Sequence, residues 1–295
     1  MLSRKSKIHD KILIVCFIVS FFQIIIFPQN KQVEADNIKI PLHLQLSSMK
    51  TEQNDFSIFI DDGLNLATSP FNFTGTDWMT TGAMVIATGL AFTLDPKIKE
   101  NVTHQRSTSF DNVTSYGEKY GSISYAGIFA GGMYLTGKIM GNKSLATTGR
   151  MLTESVLYSG FVVGVLKYTV GRARPYNNEG PADFFDYTFT ENNVSFPSGH
   201  TATAFAISTV LSQRINNTFA TIGLYGLASL TAYQRIYDDK HWFSDVFIGA
   251  AIGYFIGNSI VNSEESRTSN DFLSNMTVMP SISSSGAGLS LHLDF

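Results

Sequence analysis

The chain has 295 residues, a formal net charge of −3 and 15% charged residues. The chain therefore has no excess of basic residues, which argues against a nucleic-acid partner. The length suits one ordinary domain with additional terminal segments. The one cysteine, Cys16, lies in an apolar N-terminal stretch, so a chain cleaved after that stretch has neither a disulfide nor a thiol nucleophile.

The N-terminus has the layout of a secretory signal peptide. A basic segment around Arg4 precedes the apolar run 12–27, Pro28 interrupts that run, and Ala35 ends a small-residue cleavage pattern. We therefore predict a signal peptide over residues 1–35 and an exported protein of the periplasm or envelope. An uncleaved membrane anchor is the alternative interpretation.

Two segments outside the main apolar region have weaker patterns. Residues 36–75 are predicted to form a peripheral N-terminal segment, in which residues 56–60 resemble a strand. Residues 263–295 begin with a polar stretch and then alternate around a glycine-rich turn at residues 284–288. That pattern predicts a polar linker followed by a short C-terminal β-hairpin.

Residues 76–262 are predicted to form an all-α domain, a six-helix antiparallel bundle. Six segments are each too long for a strand and apolar around most of their circumference, which favours buried helices. They cover residues 77–94, 115–136, 144–170, 198–213, 217–234 and 241–262. Several run about 17 to 20 residues without a charge, near the lower limit for crossing a bilayer. The mean hydropathy of +0.06 instead favours an exported compact domain that lies against the membrane.

Three short motifs lie where the last four predicted helices begin or end. The third helix ends near Lys167 and the fourth begins at Ser198, while the fifth ends near Arg235 and the sixth begins near His241. In an up-down bundle these four points fall at the same end. The motifs are therefore predicted to converge on one site.

The first and third motifs supply the cations of this site. Lys167 and Arg174 lie seven residues apart, with Arg172 between them, and Arg235 opens the third motif. A guanidinium fork binds phosphate oxygens bidentately, while an ammonium acts as a point charge. These side chains therefore suit an anionic ligand.

The second and third motifs supply a helix N-terminus and two histidines. Ser198 suits an N-cap and Gly199 permits close backbone approach just before His200, so an anion is favoured there. Asp245 follows His241 by four residues, which predicts that both lie on one helix face. The carboxylate can then hold one ring N–H and leave the other nitrogen free as a nucleophile. The whole set suits binding a phosphate and attacking it with an imidazole.

In this order the motifs resemble the type 2 phosphatidic acid phosphatase (PAP2) superfamily, which shares its site with vanadium haloperoxidases. The family pattern is a lysine, six residues and Arg-Pro, then Pro-Ser-Gly-His, then Ser-Arg, five residues, His, three residues and Asp. The matching positions are Lys167, Arg174, Pro175, Pro197, Ser198, Gly199, His200, Arg235, His241 and Asp245. Gln234 stands where the family usually has serine, which is not a core catalytic group. The resemblance covers residues 76–262.

The resemblance implies a metal-independent phosphatase that acts through a phosphohistidine. His241 would attack phosphorus, Asp245 would orient it, and His200 would protonate the leaving alkoxide and then activate water. The phosphoryl oxygens would be held by Lys167, Arg174, Ser198, Gly199 and Arg235. No cofactor is implied, because three cations take the place of a metal ion, and the sequence has no clustered metal-ligand spacing.

Several functions stay open at this point. An apolar bundle near a membrane favours a phosphorylated lipid or lipid pyrophosphate as the substrate, and a membrane surface as the partner. A broad-specificity soluble acid phosphatase of the periplasm is the alternative, since an exported chain of low hydropathy also suits small phosphoesters. A vanadium haloperoxidase and a non-catalytic helical envelope protein are the other classes, distinguished by halide oxidation and by the effect of His241→Ala.

Overall fold

A computed structural model describes residues 54–103, 108–185, 190–274, 276–283 and 286–293. The predicted signal peptide, residues 1–35, lies outside these ranges. The domain is all-helical, which confirms the predicted fold class, and within the described ranges it has eight α-helices of 14 residues or more. They are α1 (Asp55–Thr68), α2 (Gly75–Thr103), α3 (Thr108–Gly121), α4 (Ile123–Ile139), α5 (Lys143–Val170), α6 (Gly199–Ile215), α7 (Thr218–Tyr237) and α8 (Phe243–Ser274).

The single helix predicted over residues 115–136 is wrong, because that stretch belongs to two helices. Helix α3 ends at Gly121 and α4 begins after Ser122. A Cβ atom on Gly121 would lie 2.6 Å from the carbonyl oxygen of His200, so the chain contacts α6 closely where it turns. Apolar residues continue across this break, and the bundle therefore has more helices than the predicted six.

The strand-like prediction for residues 56–60 is also wrong. These residues lie in α1, which begins after Asn54, and the Asn54 side-chain oxygen accepts a 2.8 Å hydrogen bond from the backbone N–H of Ser57. Such a side-chain bond satisfies one of the free N–H groups that open a helix. A short apolar run has no periodicity of its own that separates a strand from a buried helix, and here the cap favours the helix.

Helix α8 continues past its predicted end to Ser274, so the expected polar linker is helical there. Arg267 in this extension donates to both carboxylate oxygens of Asp62 in α1, at 2.7 and 3.0 Å. Beyond the helix, two strands pair antiparallel in the segment for which a hairpin was predicted. They are β1 (Met276–Ser283) and β2 (Gly286–Leu293).

Helices α6 and α8 pack very closely against each other. A Cβ atom on Gly253 would lie 2.1 Å from the carbonyl oxygen of Ala202, and one on Gly249 would lie 2.5 Å from that of Ser198. Any larger residue at either glycine would force the two backbones apart. This contact sets the N-terminus of α6 directly beside the N-terminus of α8.

Large apolar side chains are exposed on helices α2, α4 and α7. Those more than half exposed include Met79, Ile86, Leu90, Ile128, Leu135, Ile139, Phe219 and Ile222. Exposed apolar patches of this kind mark surfaces that contact a membrane or a partner. In the part of the chain that the structure describes, one helical stretch, Phe243–Ser269, has the length and composition of a membrane span. The most apolar part of this stretch is 61% buried inside the domain. The core helix of a soluble protein would be buried in the same way.

Candidate active site

Lys167 and Arg174 are positioned by the end of α5 and the loop after it. The Lys167 Nζ donates to the carbonyl oxygen of Val194 from the last turn of the helix. The helix stops at Gly171, whose φ of 51° is a left-handed conformation that glycine adopts at low cost. The backbone N–H of Arg174 then donates to the carbonyl oxygen of Asn192 at 2.8 Å. The loop thus places both cations beside the segment that leads into α6.

Helix α6 begins at Gly199, with Ser198 in the N-cap position. The Ser198 side chain is fully buried and makes no capping bond; its Oγ accepts a 3.0 Å hydrogen bond from Thr201 Oγ1. Among the described atoms, a Cβ on Gly199 would meet only Val163, at an ordinary 3.5 Å. The first N–H groups of a helix have no partner within the helix, so this N-terminus, which includes His200, suits an anion.

His241 lies in the turn before α8, and Asp245 lies in the first turn of that helix. The prediction that the two share a helix face is therefore wrong, because α8 begins after His241. The turn still brings His241 Nδ1 to 3.6 Å from Asp245 Oδ2. That separation is longer than a hydrogen bond, and contacts of this kind commonly tighten when a substrate binds.

The Asp245 carboxylate is held by several donors. Its Oδ2 accepts from the backbone N–H of Trp242 at 2.9 Å and from Ser195 Oγ at 2.5 Å. The bond to Trp242 joins the third helical residue to the residue before the helix, which is how a carboxylate caps a helix N-terminus. The orientation of Asp245 is therefore fixed by α8 and by the loop before α6.

Two residues outside the predicted site set extend this network: Arg172 contacts Asp245 directly, and Asp95 contacts Arg172. Arg172 is fully buried and donates from Nη1 to Asp245 Oδ1 and from Nη2 to Asp95 Oδ2, the latter at 2.6 Å. Asp95 is contributed by α2 and is itself fully buried. In the sequence, Asp95 directly follows the predicted apolar segment 77–94 and precedes Pro96, and this context does not by itself indicate a buried ion pair.

Three buried nitrogen atoms of motif residues have no hydrogen-bond partner within the described part of the chain. They are Nε of Arg174, Nε of Arg235 and Nδ1 of His241. Exposed carboxylates lie near both arginines, Glu191 at 3.9 Å from Arg174 and Glu118 at 3.7 Å from Arg235, where solvent leaves little attraction. Buried donors are nearly always paired in proteins. Nδ1 of His241 faces Asp245, but the two arginine nitrogens indicate a site built for an acceptor from outside the chain.

The buried groups of the site have strongly shifted pKa values. Burial and the neighbouring arginines lower the pKa of Lys167 to about 7. Burial and the nearby cations lower the pKa of His200 to about 4, and burial lowers that of His241 to about 3, although the Asp245 carboxylate acts to raise it. Burial alone would raise the pKa of Asp245, but the charge of Arg172 holds it below its ordinary value. Both imidazoles are therefore neutral at neutral pH in the free protein.

The site has the charge of an oxyanion site. Across the described ranges, no group of three or more His, Cys, Asp or Glu side chains could hold a metal ion. Positive charge comes from Lys167, Arg174 and Arg235. This charge lowers the pKa values of both histidines.

Gln234, in the place of the family's usual serine, is buried and donates from Nε2 to Asp238 Oδ2 at 2.6 Å.

Comparison with known proteins agrees with the resemblance that the motifs indicate. Residues 149–269 match the PAP2 superfamily, which confirms it. Over 183 residues the chain is 32% identical to lipid A 1-phosphatase of Porphyromonas gingivalis, covering 59% of this chain and 36% of that protein. Over 123 residues it is 26% identical to lipid A 4'-phosphatase of the same organism, covering 40% of this chain and 51% of that protein. The crystal structure of LpxE from Aquifex aeolicus is 25% identical with a TM-score of 0.45, covering 57% of this chain and 95% of that one.

The matches to the curated relatives are partial. The chain spans about a third of the length of the first of these two relatives and about half of the second. Both matches are consistent with a shared domain, and the motif positions between Lys167 and Asp245 fall inside the stretch that matches the superfamily.

Proposed function

We propose that this chain, whose residues 149–269 match the PAP2 superfamily, is a metal-independent phosphatase acting on a phosphorylated lipid. The observation that carries the proposal is the pair of buried Nε atoms on Arg174 and Arg235 for which the described residues offer no partner. A phosphoryl group supplies several acceptor oxygens and negative charge at once. It would satisfy these donors and offset the cations around them.

In this proposal the cations and the N-terminus of α6 hold the phosphoryl group. Arg174 and Arg235 bind its oxygens with their guanidinium groups, and Lys167 adds a point charge. The backbone N–H of Gly199 and the helix dipole stabilise the same oxygens. These groups are fixed before the substrate arrives, so they also stabilise the charge of the transition state without reorganisation.

His241 is the nucleophile in this proposal. Its pKa of about 3 keeps the imidazole unprotonated at neutral pH, and its Nδ1 faces Asp245, so Nε2 is the nitrogen available for attack. The phosphorus–nitrogen bond forms as the bond from phosphorus to the leaving alkoxide oxygen breaks. The ring gains positive charge in this step, and the Asp245 carboxylate stabilises it.

His200 transfers the proton in both steps of this proposal. In the free protein its pKa is about 4, because burial and the cations disfavour its charged form. A bound phosphoryl dianion offsets those cations and favours the protonated ring. His200 then gives its proton to the leaving alkoxide and afterwards takes one from the water that attacks the phosphohistidine. Breaking the phosphorus–nitrogen bond releases phosphate and frees His241.

A lipid substrate and an exported, membrane-associated protein are parts of the same proposal. The exposed apolar side chains on α2, α4 and α7 support contact with a membrane. The two curated relatives named above are lipid A phosphatases, and a lipid phosphate head group is the matching class here. A broad-specificity phosphatase for soluble esters is the alternative, and the substrate panel described next separates the two.

The test is phosphate release by the purified protein in excess EDTA. The panel is a short-chain phosphatidic acid, an isoprenoid pyrophosphate and an aryl phosphate. We expect release from a lipid, a phosphoprotein that is acid-labile and alkali-stable, and a loss of at least about 10³-fold in kcat for His241→Ala. Near-normal turnover by His241→Ala would falsify the proposal. Vanadate-dependent halide oxidation without phosphate release would favour a haloperoxidase instead.

A further inference from the structure

The buried carboxylate of Asp95, in α2, accepts three hydrogen bonds. Its Oδ1 accepts from the backbone N–H of Ser244 at 2.8 Å. Its Oδ2 accepts from Ser244 Oγ at 2.7 Å and from Arg172 Nη2 at 2.6 Å. Burial raises the pKa of Asp95, while the charge of Arg172 and the bonds from Ser244 act to lower it. A carboxylate that only accepts, here from three donors, has the hydrogen-bonding pattern of the ionised form. Asp95 thus joins α2 to the first turn of α8 and to the loop after α5.

Arg172 can adopt few other positions. Besides Asp95 and Asp245, its Nη1 donates to Ser244 Oγ at 2.8 Å, and its Nε and Nη2 donate to the carbonyl oxygen of Pro181 at 3.0 and 2.7 Å. The guanidinium carbon also lies over three aromatic rings, at 4.6 to 5.4 Å from their centroids, which are those of Phe92, Phe184 and Trp242. Such stacking restrains the plane of a guanidinium group.

We propose that Asp95 is a positioning residue for the reaction, acting through Arg172 on Asp245 and so on the nucleophile His241. This inference rests on the proposed function. Two carboxylates share one guanidinium, so the trio keeps one net negative charge. That charge faces the imidazole ring, which becomes positive when the phosphohistidine forms. If Asp95 were neutral, the positive charge of Arg172 would cancel the negative charge of Asp245. The His241 imidazolium would then have no net negative charge beside it.

The proposal differs from a purely structural ion pair. Replacing one partner of a buried pair often destabilises a protein, and that effect alone would lower activity by lowering the folded fraction. A positioning role predicts in addition that the loss falls on kcat, because Asp95 lies outside the group of residues that hold the phosphoryl oxygens. It also predicts that the loss disappears once Asp245 no longer carries its charge.

The experiment is a double-mutant cycle with Asp95→Asn and Asp245→Asn in the purified full chain. The readouts are kcat and KM on the best substrate of the panel, and the affinity for tungstate, a tetrahedral dianion, by calorimetry. For Asp95→Asn alone we expect a loss in kcat of about 10- to 100-fold, with KM and tungstate affinity within about threefold of wild type. On the Asp245→Asn background the same change should cost less than about threefold, since coupled residues are not additive.

Two controls make the outcome decisive. Asp77→Asn is the same substitution near the start of α2, where the carboxylate accepts from Thr74 at 2.7 Å, and it should leave kcat unchanged. If Asp95→Asn does not fold, Ser244→Ala replaces it, because it removes the hydroxyl between Arg172 and Asp95 while keeping both charges. A smaller loss in kcat that vanishes on the Asp245→Asn background would then support the proposal.

The overturning results are equally specific. This inference is overturned if Asp95→Asn has a normal kcat. It is also overturned if the kcat losses of the two single variants multiply in the double variant. In both cases the proposed function stands. In the Ser244→Ala version, a normal kcat or multiplying losses have the same meaning. A wild-type protein that releases no phosphate from any substrate overturns the proposed function and this inference with it.

Discussion

The backbone N–H of Ser198 donates a 3.0 Å hydrogen bond to the carbonyl oxygen of Asp245. This bond ties the N-cap of α6 to the first turn of α8. One turn further along α8, Gly249 lets the helices pack so closely that a Cβ there would lie 2.5 Å from the Ser198 carbonyl oxygen. The bond therefore fixes the distance between the proposed phosphoryl-binding N-terminus and the carboxylate that faces His241.

Gly253→Ala should destabilise the protein and lower its activity. The added Cβ would lie 2.1 Å from the Ala202 carbonyl oxygen, and a backbone atom cannot turn away as a side chain can. Overpacking of this kind costs about 1 to 3 kcal/mol. We expect a lower midpoint of chemical unfolding, together with a lower kcat because the two helix N-termini move apart.

Gly223→Ala is the matched control for that substitution. It also lies within a helix, α7, and no described atom comes within 4 Å of the position that its Cβ would take. An alanine in a helix interior is favoured over glycine by up to about 1 kcal/mol, so this variant should be slightly more stable than wild type. Equal unfolding midpoints for the two variants would contradict the close packing of α6 and α8.

Anion affinity should fall as the pH rises above about 7, because of Lys167. Its pKa is lowered from 10.5 to about 7 in the free protein, so the side chain is charged below that pH and increasingly neutral above it. A bound anion favours the charged form, so each pH unit above 7 should weaken binding by up to about tenfold. The measurement is sulfate affinity by calorimetry from pH 6 to 9, since sulfate stays a tetrahedral dianion throughout.

Lys167→Met separates this effect from other titrations. We expect the variant to bind sulfate more weakly than wild type at pH 6 and to show a nearly flat profile above pH 7. Wild-type affinity that is the same at pH 6 and pH 9 would show that Lys167 keeps its proton in the free site.

The positions of the motifs could be predicted from the sequence, because each motif lies at a helix end and an up-down bundle alternates its ends. Asp95 could not be predicted in this way. Its partner Arg172 is 77 residues away, and their contact exists only after α2 packs against α8. Nothing in the local pattern around Asp95 separates a buried ion pair from a solvated helix end.

Two of the wrongly predicted segments, residues 56–60 and the polar end of α8, have no decisive periodicity. The helices that contain them, α1 and α8, are held by ion pairs between distant parts of the chain. Arg267 of α8 binds Asp62 of α1, and Arg150 of α5 donates to Glu264 of α8 at 2.5 Å. Tertiary ion pairs such as these override weak local preferences, and a single sequence does not reveal them.

Glu154 should make the protein less stable as the pH rises from about 4.5 to 7. Its side chain is fully buried, and in the described part of the chain its Oε2 has no partner, although Arg150 donates to Oε1 at 2.9 Å. Burial raises its pKa from 4.5 to about 7. The folded state therefore binds this proton more tightly than the unfolded state, and the resulting stability, about 3 kcal/mol, is present below pH 4.5 and lost as the pH rises through 7.

The difference between wild type and Glu154→Gln isolates that contribution. The amide stays neutral at every pH, so the unfolding free energy of the variant should not fall in this window by the amount seen for wild type. Urea unfolding of both proteins at pH 4.5, 6 and 7.5 provides the comparison. Parallel curves for the two proteins would mean that Glu154 is ionised throughout and that its pairing with Arg150 outweighs its burial.

Glu118→Gln should lower KM for a phosphorylated substrate. The Glu118 carboxylate lies 3.7 Å from Arg235, where it competes with the substrate for the charge of a buried guanidinium. Its own side chain is half exposed, so solvent limits the attraction to at most about 1 kcal/mol. Removing the charge should therefore lower KM by up to about fivefold, with little change in kcat. The same substitution should have less effect in 0.5 M salt, because ions screen exposed charges.

Glu191→Gln is the paired control, since its carboxylate lies near the other arginine, 3.9 Å from Arg174, but is more exposed. The smaller desolvation of Glu191 predicts a smaller change in KM than for Glu118→Gln. If both variants lowered KM equally, the change would reflect the general charge around the entrance. An unchanged or higher KM for Glu118→Gln would mean instead that Glu118 helps to hold Arg235 in its binding position.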